Sequence, residues 1–233
     1  ARVLEMLPGL YELWDHRIFQ AFALNQQANF TNLVLPYGTC TVLIDNSDRR
    51  YEPETKDNLF ESIEAGQSIE TSIGVLLPNG EIEYIPTGRY YQAGGGWMTG
   101  NNSLTMQWDL IDIVGLVTDR KFAVPSVYPT TLEGWIAAAM AALGEGFGKL
   151  YIIADGYAEK PITANAGTDF SAMTAGDVIR YACMAAGCYS HADNETGKLI
   201  VEPVGETGTD LTLGNMTSYP SISANERMGA ITF

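Results

Sequence analysis

The sequence predicts an α+β protein: an antiparallel β-barrel domain over residues 1–125, a small α+β domain over 126–205, and the start of a second, incomplete barrel over 206–233. Three observations predict it. Apolar residues alternate with period two up to Leu110, the signature of half-buried strands. The spacing turns helical after Pro129. Glycine- and asparagine-rich turns separate the alternating runs, as in small antiparallel barrels or sandwiches.

Four runs carry the β reading. Cys40, Val42 and Ile44 alternate with Thr39, Thr41 and Leu43. Ile69, Thr71, Ile73, Val75 and Leu77 share one face of a second run. Ile82 and Tyr84 alternate with Glu81 and Glu83, and Leu104, Met106, Trp108 and Leu110 with Thr105, Gln107 and Asp109. Between the second and third runs, Pro78-Asn79-Gly80 predicts a type I′ hairpin turn, because Asn-Gly tolerates positive φ. Gly94-Gly95-Gly96 and Gly100-Asn101-Asn102 are expected to mark the approach to the fourth strand. Residues 18–24 form a further strand candidate. Residues 51–66, with Asp57, Glu61 and Glu64, are expected to hold a short helix and a loop over the barrel.

In the second half, residues 125–129 read as a linker. Thr130 as N-cap and Glu133 at N3 then fit a capping box. Leu132, Trp135, Ile136, Ala139, Met140 and Leu143 follow helical spacing, and Gly144 supplies the left-handed stop. Residues 150–153 predict a short buried strand, against which Trp135, Ile136, Met140 and Leu143 are expected to pack. A second helix starts near Thr174, with Asp177 three residues on, and runs to Gly187. Residues 189–192 and 199–202, joined by the turn 193–197, predict a closing hairpin. Beyond Pro203, the spacing of Gly205, Gly208 and Gly214 with Leu211 and Leu213 reads as a loop and a further β element.

Composition removes several function classes. Thirteen Lys+Arg stand against 28 Asp+Glu, a net charge of −15, which repels nucleic-acid phosphates. At 46% hydrophobic residues the chain is globular rather than a disordered acidic tail. No apolar run reaches the roughly 18 residues that span a bilayer. The two histidines, His16 and His191, and three cysteines, Cys40, Cys183 and Cys188, form no CxxC or HExxH pattern, so no metal or other cofactor is expected. The cysteines are too few and too odd in number for a disulfide framework. The chain starts at Ala1 without a signal peptide and ends on an apolar strand-like run at 229–233, which reads as a fragment of a longer protein.

The chemical constellations each have a plain reading that is preferred. Asp45-Asn46-Ser47-Asp48 offers oxygens to Ca²⁺ but lacks the glycine and distal glutamate of an EF-hand, and reads as a turn. Asp193-Asn194-Glu195 reads as an acidic hairpin tip. Asp109 and Asp112 have the chemistry of a glycosidase pair but are expected to cap or flank a helical turn over 111–117. His16 beside Asp15 lacks a nucleophile, as Gly-x-Ser-x-Gly is absent. Cys183 and Cys188 flank a helix stop and read as buried free thiols. Tyr90, Tyr91, Trp97 and Trp108 form either a sugar platform or, in the preferred reading, core and interface. No residue is therefore named as catalytic, metal-binding or cofactor-binding, and the chain is not expected to be an enzyme.

The run from Thr41 through Asp45, Asn46, Asp48, Arg49, Arg50 and Tyr51 to Pro53 resembles the strand-and-turn signature of tail hub proteins of long-tailed bacteriophages, including the N-terminal region of the tail-associated lysin type. Residues 59–66, Ser72-Ile73-Gly74, 83–88 and 104–110 are similar, as are Leu132-Glu133-Gly134-Trp135, residues 174–181 and residues 218–225. The resemblance implies a virion structural protein of a phage or prophage baseplate, whose homotrimeric ring closes the tail tube. It implies a homotrimer in the full-length protein, other tail and baseplate proteins as partners, and no membrane or specific nucleic-acid binding. It implies a place at the virion tail tip after assembly in the host cytoplasm, with a lytic or receptor-binding region following in many members. The alternative is an extracellular carbohydrate-binding β module using the Asp45/Asp48 turn, with Ca²⁺, and the Tyr90 to Trp108 aromatics.

Overall fold

The computed structural model describes residues 4–7, 10–12, 19–25, 35, 37–49, 51, 68–99, 104–144, 146–165 and 167–204. Residues 1–203 make one compact unit, and 204–233 a second of which only Val204 is described. The α+β class holds. Seven strands build an antiparallel sheet: β1 (Leu4–Leu7), β2 (Leu10–Glu12), β3 (Phe19–Asn25), β4 (Thr39–Asp45), β5 (Ser68–Leu76), β6 (Ile82–Thr99) and β7 (Thr105–Ile111). Their spatial order is β2-β1-β5-β6-β7-β4-β3. Among the described residues, no ladder joins the edges β2 and β3 to close the expected barrel.

β4 and β7 behave as the alternation predicts. Both follow a strict intermediate-buried pattern, so Cys40, Val42 and Ile44 meet Met106, Trp108 and Leu110 on one face. Tyr51, Ile69 and Tyr90 complete this core. β6 departs from the expected strand in length, because Gly94-Gly95-Gly96 lies inside it rather than ending it. Gln92 pairs with Leu110 and Trp97 with Trp108, so residues 93–96 bulge opposite Asp109. Glycine suits such a bulge, having no side chain to clash as the backbone bends.

The β5–β6 hairpin turn also differs from the expected type I′. The Gly80 N–H donates to the Leu77 carbonyl at 2.9 Å and the Leu77 N–H to the Glu81 carbonyl at 2.8 Å. Gly80 has φ +86, while Asn79 is not in the positive-φ region. Pro78 is the reason: its ring holds φ negative, which a type I′ turn forbids, so the chain takes an ordinary turn followed by a left-handed glycine.

Three helices and a second sheet form the rest. They are α1 (Ile113–Asp119), α2 (Leu132–Ala141), β8 (Tyr151–Ile153), α3 (Ala175–Ala186), β9 (Cys188–Ala192) and β10 (Leu199–Pro203). β10 lies between β8, which it pairs in parallel, and β9, its antiparallel hairpin partner. Trp135, Ile136 and Met140 of α2 share a buried cluster with α1, with Val178, Ile179 and Ala182 of α3, and with Leu199 and Val201 of β10. Leu143, Leu150, Tyr151 and Ile153 pack only on its margin, so β8 is half-buried, with Ile152 exposed, where the sequence predicts a buried strand. The cluster also takes in Leu35, Tyr91 and the α1 residues from Ile113, all ahead of the proline-rich 125–129 segment.

The caps show how sequence sets the ends. Thr174 and Asp177 form a capping box at the predicted start of α3, and Gly187 ends it at φ 72. For α2 the N-cap is Thr131, whose hydroxyl accepts from the Gly134 N–H at 3.2 Å, and not Thr130. Thr130 instead uses its carbonyl to accept from the Ile162 N–H, so Glu133 lies one position short of a box.

Gly176 is where α3 meets α1. A Cβ there would lie 2.9 Å from Thr118 Cα and 2.8 Å from Thr118 Oγ1. Alanine gains about 1 kcal/mol of helix propensity over glycine, but backbone overlap costs about 1–3 kcal/mol. Gly176→Ala is therefore expected to lose stability on balance, seen as a lower denaturant midpoint. A raised midpoint would show that the two helices separate freely.

The expected helix and loop over 52–66, the second-barrel start at 206–233, the terminal 229–233 edge and the His16/Asp15 pair lie outside the described residues. The strand candidate at 18–24 is β3.

Candidate assembly surface

The outer half of the β5–β6 hairpin forms an arm. β5 pairs with β1 only at Ile69, and β6 pairs with β7 only from Tyr91 onward. Residues 72–76 and 82–86 thus pair with each other alone among the described residues. Among the described residues no further strand pairs with either outer edge of this ribbon, and an open strand edge is the usual template for pairing with another chain.

The arm is apolar on both faces. Ile73 and Ile85 face each other across the ladder, with Val75 beside them, and all are exposed. Ile82 and Tyr84 stand on the opposite face, with exposures of 53% and 48%. A two-stranded ribbon is marginally stable alone in water, and five large apolar side chains exceed what scattered surface residues require.

A bulge sits at the base of the arm. Thr71 pairs with Gly88 and Ser72 with Pro86, so Thr87 is an extra residue. It is pinned by a 2.7 Å hydrogen bond between the Thr71 and Thr87 hydroxyls and by the Tyr90 hydroxyl, which donates to the Thr87 carbonyl at 3.2 Å. β5 has no insertion, so its core-facing residue Ile69 is followed on the same face by Thr71, Ile73 and Val75. The face that is core inside the sheet therefore continues as bare apolar surface along the arm.

The sequence constellations resolve into structural parts. The Asp45 carboxylate is occupied by the Ser47 N–H and hydroxyl, both at 3.0 Å, which makes it a turn. Asp193 likewise accepts from the Thr196 N–H at 2.8 Å, and the Thr196 contacts hold its carboxyl below the usual range. Asp109 accepts from Thr41 Oγ1 at 2.9 Å on β7. Asp112 is instead the N-cap of α1, accepting from Gly115 N at 2.9 Å and Gly38 N at 2.5 Å. The two carboxylates thus have separate partners. Burial pushes the Asp112 carboxyl up, against the lowering pull of its backbone donors.

Tyr90, Tyr91 and Trp108 are buried, so they fill cores rather than form a platform. Cys40, Cys183 and Cys188 are buried thiols outside any disulfide, and burial pushes the Cys40 and Cys183 thiols up to about 12. Among the described residues no group of three His, Cys, Asp or Glu is placed to hold a metal ion, and no helix is long and apolar enough to cross a membrane.

One cluster escaped the sequence. His191 Nε2 lies 3.0 Å from Glu202 Oε1, the Tyr189 hydroxyl donates to the same carboxylate, and the two rings stack at 5.6 Å. The signal was strand parity, since Tyr189 and His191 share a face of β9. Burial, and then Glu202, pushes the Tyr189 hydroxyl up to about 12.

No family model matches the sequence, and no curated protein matches it. Solved structures similar to this chain include two tail proteins. The tail protein from Neisseria meningitidis MC58 is 13% identical, with a TM-score of 0.47 over 86% of this chain and 49% of that one. The 43 kDa tail protein of prophage MuSo2 from Shewanella oneidensis is 14% identical, with a TM-score of 0.41 over 77% of this chain and 52% of that one. The chain spans about half the length of either protein.

Proposed function

We propose that the chain is a structural protein of a phage or prophage tail, acting as a hub subunit of the tail tip. In this reading it works by self-association and contact with other tail and baseplate proteins, without catalysis. Its subunits form a homotrimeric ring that closes the tail tube, and they reach the virion after assembly in the host cytoplasm. The observation that carries the reading is the arm: a ribbon that pairs with no further strand among the described residues and carries exposed apolar residues on both faces. Such an element is costly in water and useful in a closed assembly, where a neighbour covers it. The motif resemblance over residues 41–53, 59–66, 83–88, 104–110 and 174–181 supplies the tail context. The net charge of −15 suits a conduit that DNA must pass without sticking.

The test is association of the purified chain. Mass by light scattering is expected to rise with concentration, while the double variant Ile73→Asp, Ile85→Asp stays a monomer with unchanged circular dichroism. Equal association of the variant would remove the arm as the assembly element. A muramidase or peptidase activity mapping to these residues would overturn the non-catalytic reading.

A further inference from the structure

We propose that Asn79, at the tip of the arm, is a self-modification site: its side-chain amide is lost through a cyclic imide with the Gly80 nitrogen, at a rate set by opening of the tip turn. The chemistry needs no partner chain, so it stands apart from the assembly role. The sequence holds one Asn-Gly pair, and it lies in the turn between β5 and β6. Glycine has no side chain to shield its nitrogen, and a Cβ at Gly80 would meet nothing within 4 Å. Pro78, Asn79, Gly80 and Glu81 are all exposed, so water reaches the site.

The reaction balances with water alone. The Gly80 nitrogen attacks Asn79 Cγ and gives up its proton. The Cγ–Nδ2 bond breaks, and Nδ2 leaves as ammonia with that proton. Water then opens the imide ring. Opening at Cγ gives aspartate, and opening at the main-chain carbonyl carbon gives isoaspartate, with the backbone running through Cγ.

The resting turn holds both reacting groups. The Gly80 N–H donates to the Leu77 carbonyl at 2.9 Å. Asn79 Nδ2 donates to Glu81 Oε2 at 2.7 Å, and Asn79 Oδ1 accepts from the Glu81 N–H at 3.0 Å. Attack requires these bonds to open, and exposed bonds at a hairpin tip open at the lowest cost. Asn46, which precedes the small residue Ser47, gives the contrast within the same chain. It is fully buried, and its Oδ1 accepts from the Tyr51 N–H at 3.2 Å. The product also works against the turn. Hydrolysis removes the donor that Glu81 holds and sets a second carboxylate in its place, and like charges at such range repel. The group that fastens the tip becomes one that loosens it.

Peptide mapping by mass spectrometry of the intact chain, kept warm at neutral pH, tests the site. Aspartate and isoaspartate are expected to accumulate at residue 79 while Asn46 keeps its amide. Conversion is expected to quicken as pH rises, because the attacking nitrogen must lose its proton. The rate is expected to be about tenfold below that of a peptide of residues 76–83, and Glu81→Ala, which removes the acceptor of the amide, is expected to raise it. Asn79 left unmodified once the peptide is wholly converted would overturn the site. A rate equal to that of the peptide, or no rise in Glu81→Ala, would overturn control by the turn. Hydrogen exchange reads the consequence. Asn79→Asp is expected to speed exchange at the Leu77 and Gly80 amides. Adding Glu81→Gln supplies a side-chain amide that can donate to the new carboxylate, and is expected to restore slow exchange. Unchanged exchange in Asn79→Asp, or no recovery in the double variant, would overturn the conflict between product and turn.

Discussion

Trp135→Ala is expected to cost about 3–5 kcal/mol of folding stability, the range for removing a large aromatic from a core. The indole is 3% exposed at the centre of the helical cluster. It stacks on Phe170 with ring centroids 5.4 Å apart, and its Nε1–H donates to the Ile162 carbonyl at 3.2 Å. Truncation opens a void and also strands that carbonyl. The two losses separate in Trp135→Phe, which keeps a ring and drops the hydrogen bond, for an expected cost of about 1–3 kcal/mol. Urea unfolding with a shared slope measures both. A Trp135→Ala loss below about 1 kcal/mol would mean that the side chains around it collapse and refill the space.

Asp112→Ala is the second large effect. The carboxylate accepts from Gly38 N at 2.5 Å and Gly115 N at 2.9 Å, joining the 35–38 segment to the start of α1. Loss of a cap costs about 1 kcal/mol and a stranded buried donor about 1–3 kcal/mol, so about 2–4 kcal/mol is expected. The pH dependence has a definite sign. Burial raises the carboxyl above its ordinary value, so the native state holds the proton more tightly than the unfolded one. The contribution of Asp112 is therefore largest at acid pH, below the ordinary carboxylate range. It falls as pH rises from that range through the raised native value. Asp112→Asn carries no titrating group, so the stability of the native protein minus that of Asp112→Asn should fall over this window and then stay level. A rising difference would show that the backbone donors outweigh burial.

The parts of the fold that depend on local chemistry were legible in the sequence. α3 announces itself by Thr174, Asp177 and Gly187, and the structure has the capping box and left-handed stop at those residues. Two adjacent threonines defeat the same logic for α2, because either can cap and the tertiary bond from Ile162 to the Thr130 carbonyl decides. The Gly94–Gly96 run reads as a terminator because glycine ends strands more often than it bulges within them. The arm was hidden for a different reason. Ile73 and Val75 alternate as Cys40 and Val42 do, yet only the latter pair is buried. Period two reports a face, whereas burial depends on how far the neighbouring strands run alongside.

The bulge at Thr87 makes the arm's sidedness a matter of counting. With Thr87 in place, Ile85 and Glu83 stand opposite Ile73 and Val75, on the face that runs on from the core. If Thr87 instead paired with Ser72 in an unbulged ladder, Pro86, Tyr84 and Ile82 would take over that face, since side chains alternate along a strand. A single residue gained in β5 between Thr71 and Ser72, opposite Thr87, thus closes the bulge and turns over which chemistry the arm offers on each side, whereas loss of Thr87 leaves the faces as they are. The specificity of such an arm can drift by phase as well as by substitution, and a comparison of related chains that aligns residues without aligning the bulge would pair opposite faces.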